Sequence, residues 1–287
     1  MSDRFTNAIV ITGATSGIGK ACAIRFDQLG FRVFGTYLHE SELDAVVSAT
    51  SDRFTPVYLS LTDHESIHAA ARTVQEAVGE SGLYGLVNNA GMDMPGPLEF
   101  IPIDRVRQQM EVNVIGQVAV TQAFLPQIRK AVGRIVFIGS IDGMCVTPFQ
   151  GAYGASKHAI EAICDALRME LHPWKIEVIC VQPGDIQTPI WDKSLKIAEE
   201  IGESVPKEAW ELYGSLMTAA KATARKMQKM AKPPETVVRA VEHALTSRRP
   251  RTRYLVGLDA RMRKAIEILG SRRVDKLIMG FIAKGGK

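Results

Sequence analysis

A tyrosine and a lysine four residues apart could together transfer a proton. Tyr153 and Lys157 stand on either side of residue 155, where a segment begins, 155–171, whose apolar spacing predicts a helix. Four residues apart at the start of a helix, their side chains share one helix face. A free tyrosine has a pKa of about 10, and acid–base work near neutral pH requires a pKa lower by up to roughly 3 units. A neighbouring lysine ammonium favours the phenolate. Ser140, thirteen residues before the tyrosine, could donate a hydrogen bond to a substrate oxygen that gains negative charge.

A glycine-rich segment near the start of the chain could bind phosphate groups. Residues 12–19 read TGATSGIG and follow an apolar, β-branched run at 8–12 that predicts a strand. Its three glycines allow a sharp turn, a close approach to a pyrophosphate and tight packing of the helix predicted at 20–29. The N-terminus of that helix supplies free N–H groups and the positive end of the helix dipole. This position favours a dinucleotide site over a glycine-rich turn without a ligand.

Strand and helix patterns alternate along most of the chain. Such alternation, with unbroken apolar strands, implies a parallel sheet covered by helices on both faces. We therefore predict an α/β fold: a single domain, residues 1–287, with a doubly wound Rossmann-type sheet of about seven strands and a C-terminal helical extension at 258–287. Further strands are predicted at 32–36, 55–59, 85–88, 134–138, 176–182 and 253–256, and further helices at 65–78 and 105–125.

Taken in order, these motifs resemble those of the short-chain dehydrogenase/reductase family. TGxxxGxG is followed by NNAG at 88–91, an asparagine at 113 in a predicted helix, a serine after the fifth strand, YxxxK at 153–157 and PGxxxT at 183–188. The resemblance covers about residues 8–257. The stretches 82–91, 124–140 and 170–184 look most like the branch that holds retinol, hydroxysteroid and 3-hydroxybutyrate dehydrogenases.

The resemblance implies an NAD(P)-dependent oxidoreductase that interconverts a secondary or lipophilic alcohol and its carbonyl by hydride transfer. Tyr153 would be the general acid and base, and Ser140 would bind the substrate oxygen. Lys157 would hold the nicotinamide ribose and, with the oxidised ring, favour the phenolate. Asn113 would support a chain of waters that carries the proton away. Two alternatives remain, an NADPH-dependent 3-oxoacyl-thioester reductase and a non-catalytic nucleotide-sensing protein, although a sensor has no need of these four residues.

The cofactor is expected to be NAD, with NADP possible. In the family, an acidic residue that closes the second strand selects NAD and a basic residue one place later favours NADP, but Tyr37 and Leu38 stand there. No arginine fork is present for a 2′-phosphate. Ser60 replaces the usual aspartate near adenine. The expected cofactor-binding residues are Thr12, Gly13, Thr15, Ser16, Gly17, Ile18, Gly19, Tyr37, Leu38, Ser60, Leu61, Asn89, Ala90, Gly91, Tyr153, Lys157, Pro183, Gly184, Ile186 and Thr188.

The residues expected near the substrate are largely apolar. Methionines and aromatic side chains suit a bulky, lipophilic substrate and adapt to its shape, although any one of them could equally be ordinary packing. The expected substrate contacts are Met92, Ser140, Met144, Phe149, Tyr153 and Trp191.

The segment HESIH at 64–68 spells HExxH, a zinc-protease signature. Two histidines at i and i+4 could bind a metal. A capping box formed by Thr62 and Glu65 explains the same residues as the start of a helix. The segment also falls on a crossover helix, away from the strand ends where this fold binds ligands. We expect no metal site.

The end of the chain is basic, whereas the rest is acidic. The net charge is +4, but residues 221–287 hold 18 basic and 5 acidic residues. We favour docking of the extension over the substrate entrance or another subunit, ahead of peripheral membrane contact, and expect no nucleic-acid partner. The apolar residues at helical spacing are Val274, Leu277, Ile278, Phe281 and Ile282, flanked by Arg272, Arg273, Lys276 and Lys284.

The remaining sequence features bear on the compartment and the assembly. The first ten residues lack a long apolar stretch, and the four cysteines lack CxxC spacing, which is typical of reduced thiols in a cytoplasmic protein. Family resemblance implies a homodimer or homotetramer that acts on a small molecule.

Overall fold

The fold is built on a seven-stranded parallel sheet. The computed structural model describes residues 7–285, apart from the side chains of Glu267 and Lys284. Residues 1–6 of the N-terminal segment and residues 286–287 of the predicted extension at 258–287 lie outside the described residues. The strand order is β3-β2-β1-β4-β5-β6-β7, and every pair is parallel. The predicted doubly wound Rossmann-type sheet is therefore confirmed. The strands are β1 (Ala8–Ile11), β2 (Arg32–Tyr37), β3 (Phe54–Tyr58), β4 (Gly85–Asn88), β5 (Arg134–Ile138), β6 (Glu177–Pro183) and β7 (Arg253–Val256).

Helices cover both faces of the sheet because its central strands are buried throughout and mainly apolar. Every residue of β1 and β4 is buried, so each strand needs cover on two sides. Phe26 and Val241 belong to the apolar core on one face, and Phe124 and Ile160 to the core on the other. The helices are α1 (Gly17–Gln28), α2 (Asp44–Val47), α3 (His64–Val78), α4 (Ile103–Met110), α5 (Gly116–Ala131), α6 (Gly151–Glu170), α7 (Ile190–Ser204), α8 (Lys207–Met230), α9 (Glu235–Thr246), α10 (Leu258–Ile266) and α11 (Ser271–Gly285).

Two predicted helices differ from those observed. The helix predicted at 105–125 is divided into α4, a π-helical turn at Glu111–Ile115, and α5. The turn carries Asn113, whose side-chain amide bonds both the N–H and the C=O of Met92, a tertiary contact that a local pattern does not reveal. The first helix begins at Gly17 rather than at residue 20, because its glycines are part of the helix.

The predicted capping box at the start of α3 is wrong by one residue. The helix begins at His64, and its N-cap is Asp63, whose Oδ1 accepts from Glu65 N at 3.0 Å and from Ser66 N at 3.3 Å. Thr62 instead has its hydroxyl 3.1 Å from that of Ser60. Within 7–285, no group of three or more His, Cys, Asp or Glu side chains is placed to hold a metal ion.

The basic extension docks onto the protein through its apolar side. α11 packs against α8, and Val274 and Ile282 are buried. Phe281 and Leu277 of the same helix remain about half exposed. No helix within the described part of the chain is long and apolar enough to cross a membrane.

Candidate active site

The tyrosine–lysine pair lies on the first two turns of α6, beside the end of β5. Lys157 is 5% exposed, and its Nζ donates to the backbone oxygen of Ile138 at 2.8 Å. The same Nζ is 5.6 Å from the centroid of the Tyr153 ring. Burial lowers the pKa of Lys157 to about 8, although nearby acidic groups act in the opposite direction. The lysine is therefore held next to the tyrosine by β5.

The surroundings of Tyr153 make its hydroxyl harder to ionise. Removal from water raises the pKa of Tyr153 above its usual range, the carboxylates of Asp142 and Asp93 raise it further, and a hydrogen bond with Ser140 lowers it. The lowering expected from the sequence depends on Lys157 together with an oxidised nicotinamide ring, and the protein groups alone act in the opposite direction. The protein alone keeps the phenol protonated, so ionisation near neutral pH requires a further positive charge.

Ser140 and Asn113 are fixed by backbone groups on either side of the pair. Ser140 follows β5 and begins a short 3-10 turn, Ile141–Gly143, where its Oγ accepts from Asp142 N at 3.1 Å. Asn113 is fully buried, and its Nδ2 donates to the Ser156 hydroxyl at 3.1 Å as well as to Met92 O at 2.9 Å. Asn113 therefore braces α6 against the loop after β4.

The glycine-rich turn has the shape that a pyrophosphate needs. Gly13 and Gly17 have φ of +64° and +52°, in the left-handed region that favours glycine. A Cβ on Gly19 would collide with the backbone oxygen of Gly13 and with the Asn89 amide. The N-cap of α1, Ser16, makes no side-chain capping bond. Backbone N–H groups at the start of the helix are therefore available to donate to a phosphate. These residues fit the phosphates of a dinucleotide.

A cleft of about 1900 Å³ connects the glycine turn to the tyrosine–lysine pair. It runs along the carboxyl ends of the strands, where this fold binds ligands, and exceeds the usual size of a pocket for one small molecule. Residues that we predicted from sequence and that line this cleft are Gly13, Thr15, Ser16, Gly17, Ile18, Leu38, Asn89, Ala90, Gly91, Met92, Ser140, Phe149, Tyr153, Lys157, Pro183, Gly184, Ile186, Thr188 and Trp191.

Some predicted site residues do not line the cleft. Thr12 is fully buried, and its Oγ1 accepts from the backbone N–H groups of Asn89 and Ala90 at 2.9 and 3.0 Å, so it joins the turn to the loop after β4. The predicted residues outside the lining are Thr12, Gly19, Tyr37, Ser60, Leu61, Asn113 and Met144. Of these, Thr12, Gly19 and Asn113 support the lining through the contacts described above.

The cleft also contains acidic side chains that the sequence reasoning missed. Near the glycine turn, Thr15 Oγ1 donates to Glu42 Oε2 at 2.7 Å, and Lys193 Nζ lies 3.7 Å from the other oxygen of that carboxylate. No local signal marks Glu42, because the acidic residue that selects NAD in the family closes β2, whereas Glu42 comes five residues after the end of that strand.

A second missed carboxylate lies close to the tyrosine. Asp93 Oδ2 accepts from Ser194 Oγ at 2.6 Å and from Gln150 Nε2 at 3.2 Å, so it joins three segments of the cleft wall. Burial raises the pKa of Asp93 to about 6, against these two hydrogen bonds. No local motif marks Asp93, because its partners are 57 and 101 residues away.

Sequence comparisons find the same family along the chain. The profile of the family described as short chain dehydrogenase matches residues 7–198. The 17-beta-hydroxysteroid dehydrogenase type 6 of Bos taurus is 39% identical, over 91% of this chain and 82% of that protein. Retinol dehydrogenase 16 of Homo sapiens is 39% identical, over 88% and 81%. The NADPH-dependent 3-dehydrocapnine reductase of Ornithobacterium rhinotracheale is 34% identical, over 93% and 94%.

Solved structures share the fold. A short-chain dehydrogenase from Streptomyces avermitilis has a TM-score of 0.77 at 27% identity, with both chains covered in full. One from Burkholderia phymatum, in complex with NAD, has a TM-score of 0.74 at 24% identity, over 88% of this chain and 90% of that one. The relatives are dehydrogenases and reductases, and the predicted enzyme class, an oxidoreductase, is confirmed. The chain thus belongs to the short-chain dehydrogenase family, and its predicted resemblance to the retinol and hydroxysteroid branch is confirmed.

Proposed function

We propose that this protein interconverts a secondary or lipophilic alcohol and its carbonyl, with a nicotinamide dinucleotide as the hydride carrier and Tyr153 as general acid and base. The observation that carries the proposal is the single cleft, which begins at a phosphate-shaped glycine turn and ends at Tyr153, Lys157 and Ser140. A cofactor and a substrate that share this cleft would meet beside the tyrosine hydroxyl.

Each residue of the candidate site has a distinct role in the proposed reaction. The nicotinamide ring supplies or accepts the hydride when the cofactor is bound. The glycine turn and the start of α1 hold the pyrophosphate, and Lys157 holds the ribose. Ser140 donates a hydrogen bond to the substrate oxygen, and Tyr153 gives that oxygen a proton or takes one from it. Asn113, which is buried behind the cleft, keeps α6 in register with the loop after β4.

The preferred cofactor in this proposal is NAD rather than NADP. Glu42 lines the cleft beside Leu38 and His39, just after β2, where the fold places the adenosine ribose. A 2′-phosphate near this carboxylate would be repelled, although Lys193 offsets part of that charge. Glu42 therefore supplies the acidic group that is missing from the end of β2. A relative that uses NADPH shows why both cofactors must be tested.

The substrate in this proposal has a bulky apolar body. Relatives are named for a hydroxysteroid and for retinol. Apart from the charged groups beside the tyrosine, the cleft wall is mainly apolar, and Trp191 is held in it by a 2.8 Å bond from its Nε1 to Ile186 O. Other apolar residues of this wall come from α8, α10 and α11: Trp210, Met217, Met262, Ile266, Leu277 and Phe281.

A substrate panel tests the proposed function directly. Purified protein is incubated with NAD or NADP and with alcohols that range from short secondary alcohols to steroids and retinoids, and nicotinamide absorbance is followed. We expect turnover of apolar alcohols with a higher kcat/KM for NAD. A 3-oxoacyl thioester, tested with NADPH, represents the alternative reductase. Absence of turnover across the panel, with intact dinucleotide binding, would instead support the nucleotide-sensing alternative.

We also propose a cytoplasmic location, a homo-oligomeric assembly and a possible peripheral contact of α11 with a membrane. Four buried cysteines without disulfides fit a reducing cytoplasm, and family resemblance supports a homodimer or homotetramer. The exposed half of α11 combines apolar Leu277 and Phe281 with cationic Arg272 and Lys276, as a peripheral membrane helix would. Light scattering measures the subunit count. Flotation with anionic liposomes, for the intact chain and for a chain that ends at residue 258, tests the membrane contact.

A further inference from the structure

The C-terminal extension reaches the centre of the cleft through one arginine. Arg263 on α10 forms an ion pair with Asp142, with 2.9 Å between Nη1 and Oδ1. The two side chains are 19% and 18% exposed, so water screens this pair less than it screens pairs on the surface. The pair joins residues that are 121 positions apart.

Asp142 belongs to the short turn that carries the proposed substrate-binding serine. Its backbone N–H donates to Ser140 Oγ at 3.1 Å. The next residue, Gly143, packs directly on α6, since a Cβ there would lie 3.0 Å from the backbone oxygen of Lys157. A movement of Asp142 therefore shifts both the serine hydroxyl and the helix that carries Tyr153 and Lys157.

A second contact fixes α10 to the other side of the cleft. Asp259 Oδ2 accepts from the backbone N–H of Asp185 at 2.6 Å, in the turn after β6. The carboxylate of Asp259 fills the space that a side chain on Gly184 would occupy. Two anchors therefore set where α10 lies, and with it the position of Arg263.

We propose that Arg263 is a positioning residue for proton transfer: it holds Asp142 and the serine turn in place, and it balances the Asp142 charge beside Tyr153. This inference rests on the proposed role of Tyr153. It assigns a task in the chemistry to the basic extension, which lies outside the part of the chain that carries the motifs. Asn113, Ser140, Tyr153 and Lys157 would then depend on a fifth residue that touches none of the reacting atoms.

The charges around the tyrosine determine the direction in which each substitution should shift the pKa of Tyr153. Asp142 raises the pKa of Tyr153, and Arg263 opposes that negative charge. Burial raises the pKa of Asp142 and Arg263 lowers it, so the arginine both favours the ionised carboxylate and offsets its charge. With Asp142 ionised, loss of Arg263 should raise the pKa of Tyr153 further, and loss of the Asp142 charge should lower it. The other charged or titratable groups that face this pair are Asp93, Lys157, His158, Asp185 and Asp259.

The experiment measures the pH dependence of alcohol oxidation in four full-length variants. The rate rises with pH as the coupled tyrosine site ionises, and this rise is called the alkaline limb of the pH profile. Arg263→Gln should move this limb to higher pH by on the order of one unit and lower kcat more than it changes KM. Asp142→Asn should move the limb to lower pH. The double variant lacks both charges and should return close to the unaltered protein, and Arg263→Lys should retain most of the effect of the arginine.

Matched controls separate positioning from general damage. Arg261→Gln removes an exposed cation from the same helix and should change neither the limb nor kcat. Thermal unfolding of each variant identifies losses that come from stability alone. The inference is overturned if Arg263→Gln and Asp142→Asn move the limb in the same direction, or if neither moves it. It is also overturned if only KM changes. Failure of the proposed function looks different, because Tyr153→Phe would then retain activity.

Discussion

The two ends of the cleft differ in what determines their properties: backbone shape at one end and buried charge at the other. At the nucleotide end, the shape of the backbone dominates: positive φ angles at Gly13 and Gly17, and a Gly19 that has no room for a side chain. At the substrate end, buried charges dominate, with Asp93 and Asp142 beside the tyrosine. A backbone-shaped site tolerates almost no change, whereas a charge-shaped site can be tuned. Mutations at the two ends should therefore fail in different ways.

The largest expected effect comes from Tyr153→Phe, at the substrate end. The change keeps the ring and its packing but removes the hydroxyl that exchanges a proton with the substrate. We expect kcat to fall at least roughly 100-fold, the lower end of what general acid–base catalysis contributes. Dinucleotide affinity, measured by calorimetry, should change little.

The control for this variant is an exposed tyrosine on the sheet, away from α6. Tyr58 on β3 is 48% exposed and lies outside the cleft, so Tyr58→Phe should leave both kcat and cofactor affinity unchanged. Near-normal turnover by the Tyr153 variant would mean that the proton travels by another route, and the proposed mechanism would be wrong.

The next largest effect is expected at the nucleotide end, from Gly19→Ala. A methyl group there meets the backbone oxygen of Gly13 and the Asn89 amide, so the glycine turn must move. Overpacking of this kind costs about 1–3 kcal/mol of stability. We expect a lower melting temperature and a dinucleotide Kd at least roughly 10-fold higher, about 1.4 kcal/mol. Gly280→Ala, on α11 with open space around it, is the matched control. Unchanged affinity in the Gly19 variant would show that this glycine is not needed for the pyrophosphate.

The same contrast explains which features could be predicted from sequence. The glycine turn, the asparagine motif and the tyrosine–lysine pair are local, because spacing along the chain determines which of these residues share a turn or a helix face. The unbroken apolar strands likewise predicted the parallel sheet. Asp93 and Arg263 could not be found in this way, since each acts through partners 57 to 121 residues away. The π turn at Asn113 was missed because its cause is the Met92 backbone, not the helix sequence.

Cofactor choice should respond to one carboxylate at the nucleotide end. Glu42→Gln removes the negative charge near the expected ribose and leaves Lys193 free to meet a 2′-phosphate. We expect the ratio of NADP Kd to NAD Kd to fall roughly 10-fold, the scale of one charge contact near a protein surface. Glu40→Gln, an exposed neighbour, is the control. If the unaltered protein already binds NADP more tightly than NAD, the assigned preference is wrong.

The smallest expected effect, and the sharpest test of charge tuning, concerns Asp93. Its carboxylate raises the pKa of Tyr153, and burial raises the pKa of Asp93 itself to about 6. Asp93→Asn keeps the size of the side chain and removes the charge, so the pKa of Tyr153 should fall. The alkaline limb of alcohol oxidation should move to lower pH by roughly half a unit to one unit. Below pH 6 the unaltered Asp93 is itself mostly protonated, so the electrostatic difference between variant and parent should disappear there. Asp104→Asn, a highly exposed carboxylate on α4, should leave the profile unchanged. A shift to higher pH, or a difference that persists equally below pH 6, would show that Asp93 acts through its contacts with Gln150 and Ser194 rather than through its charge.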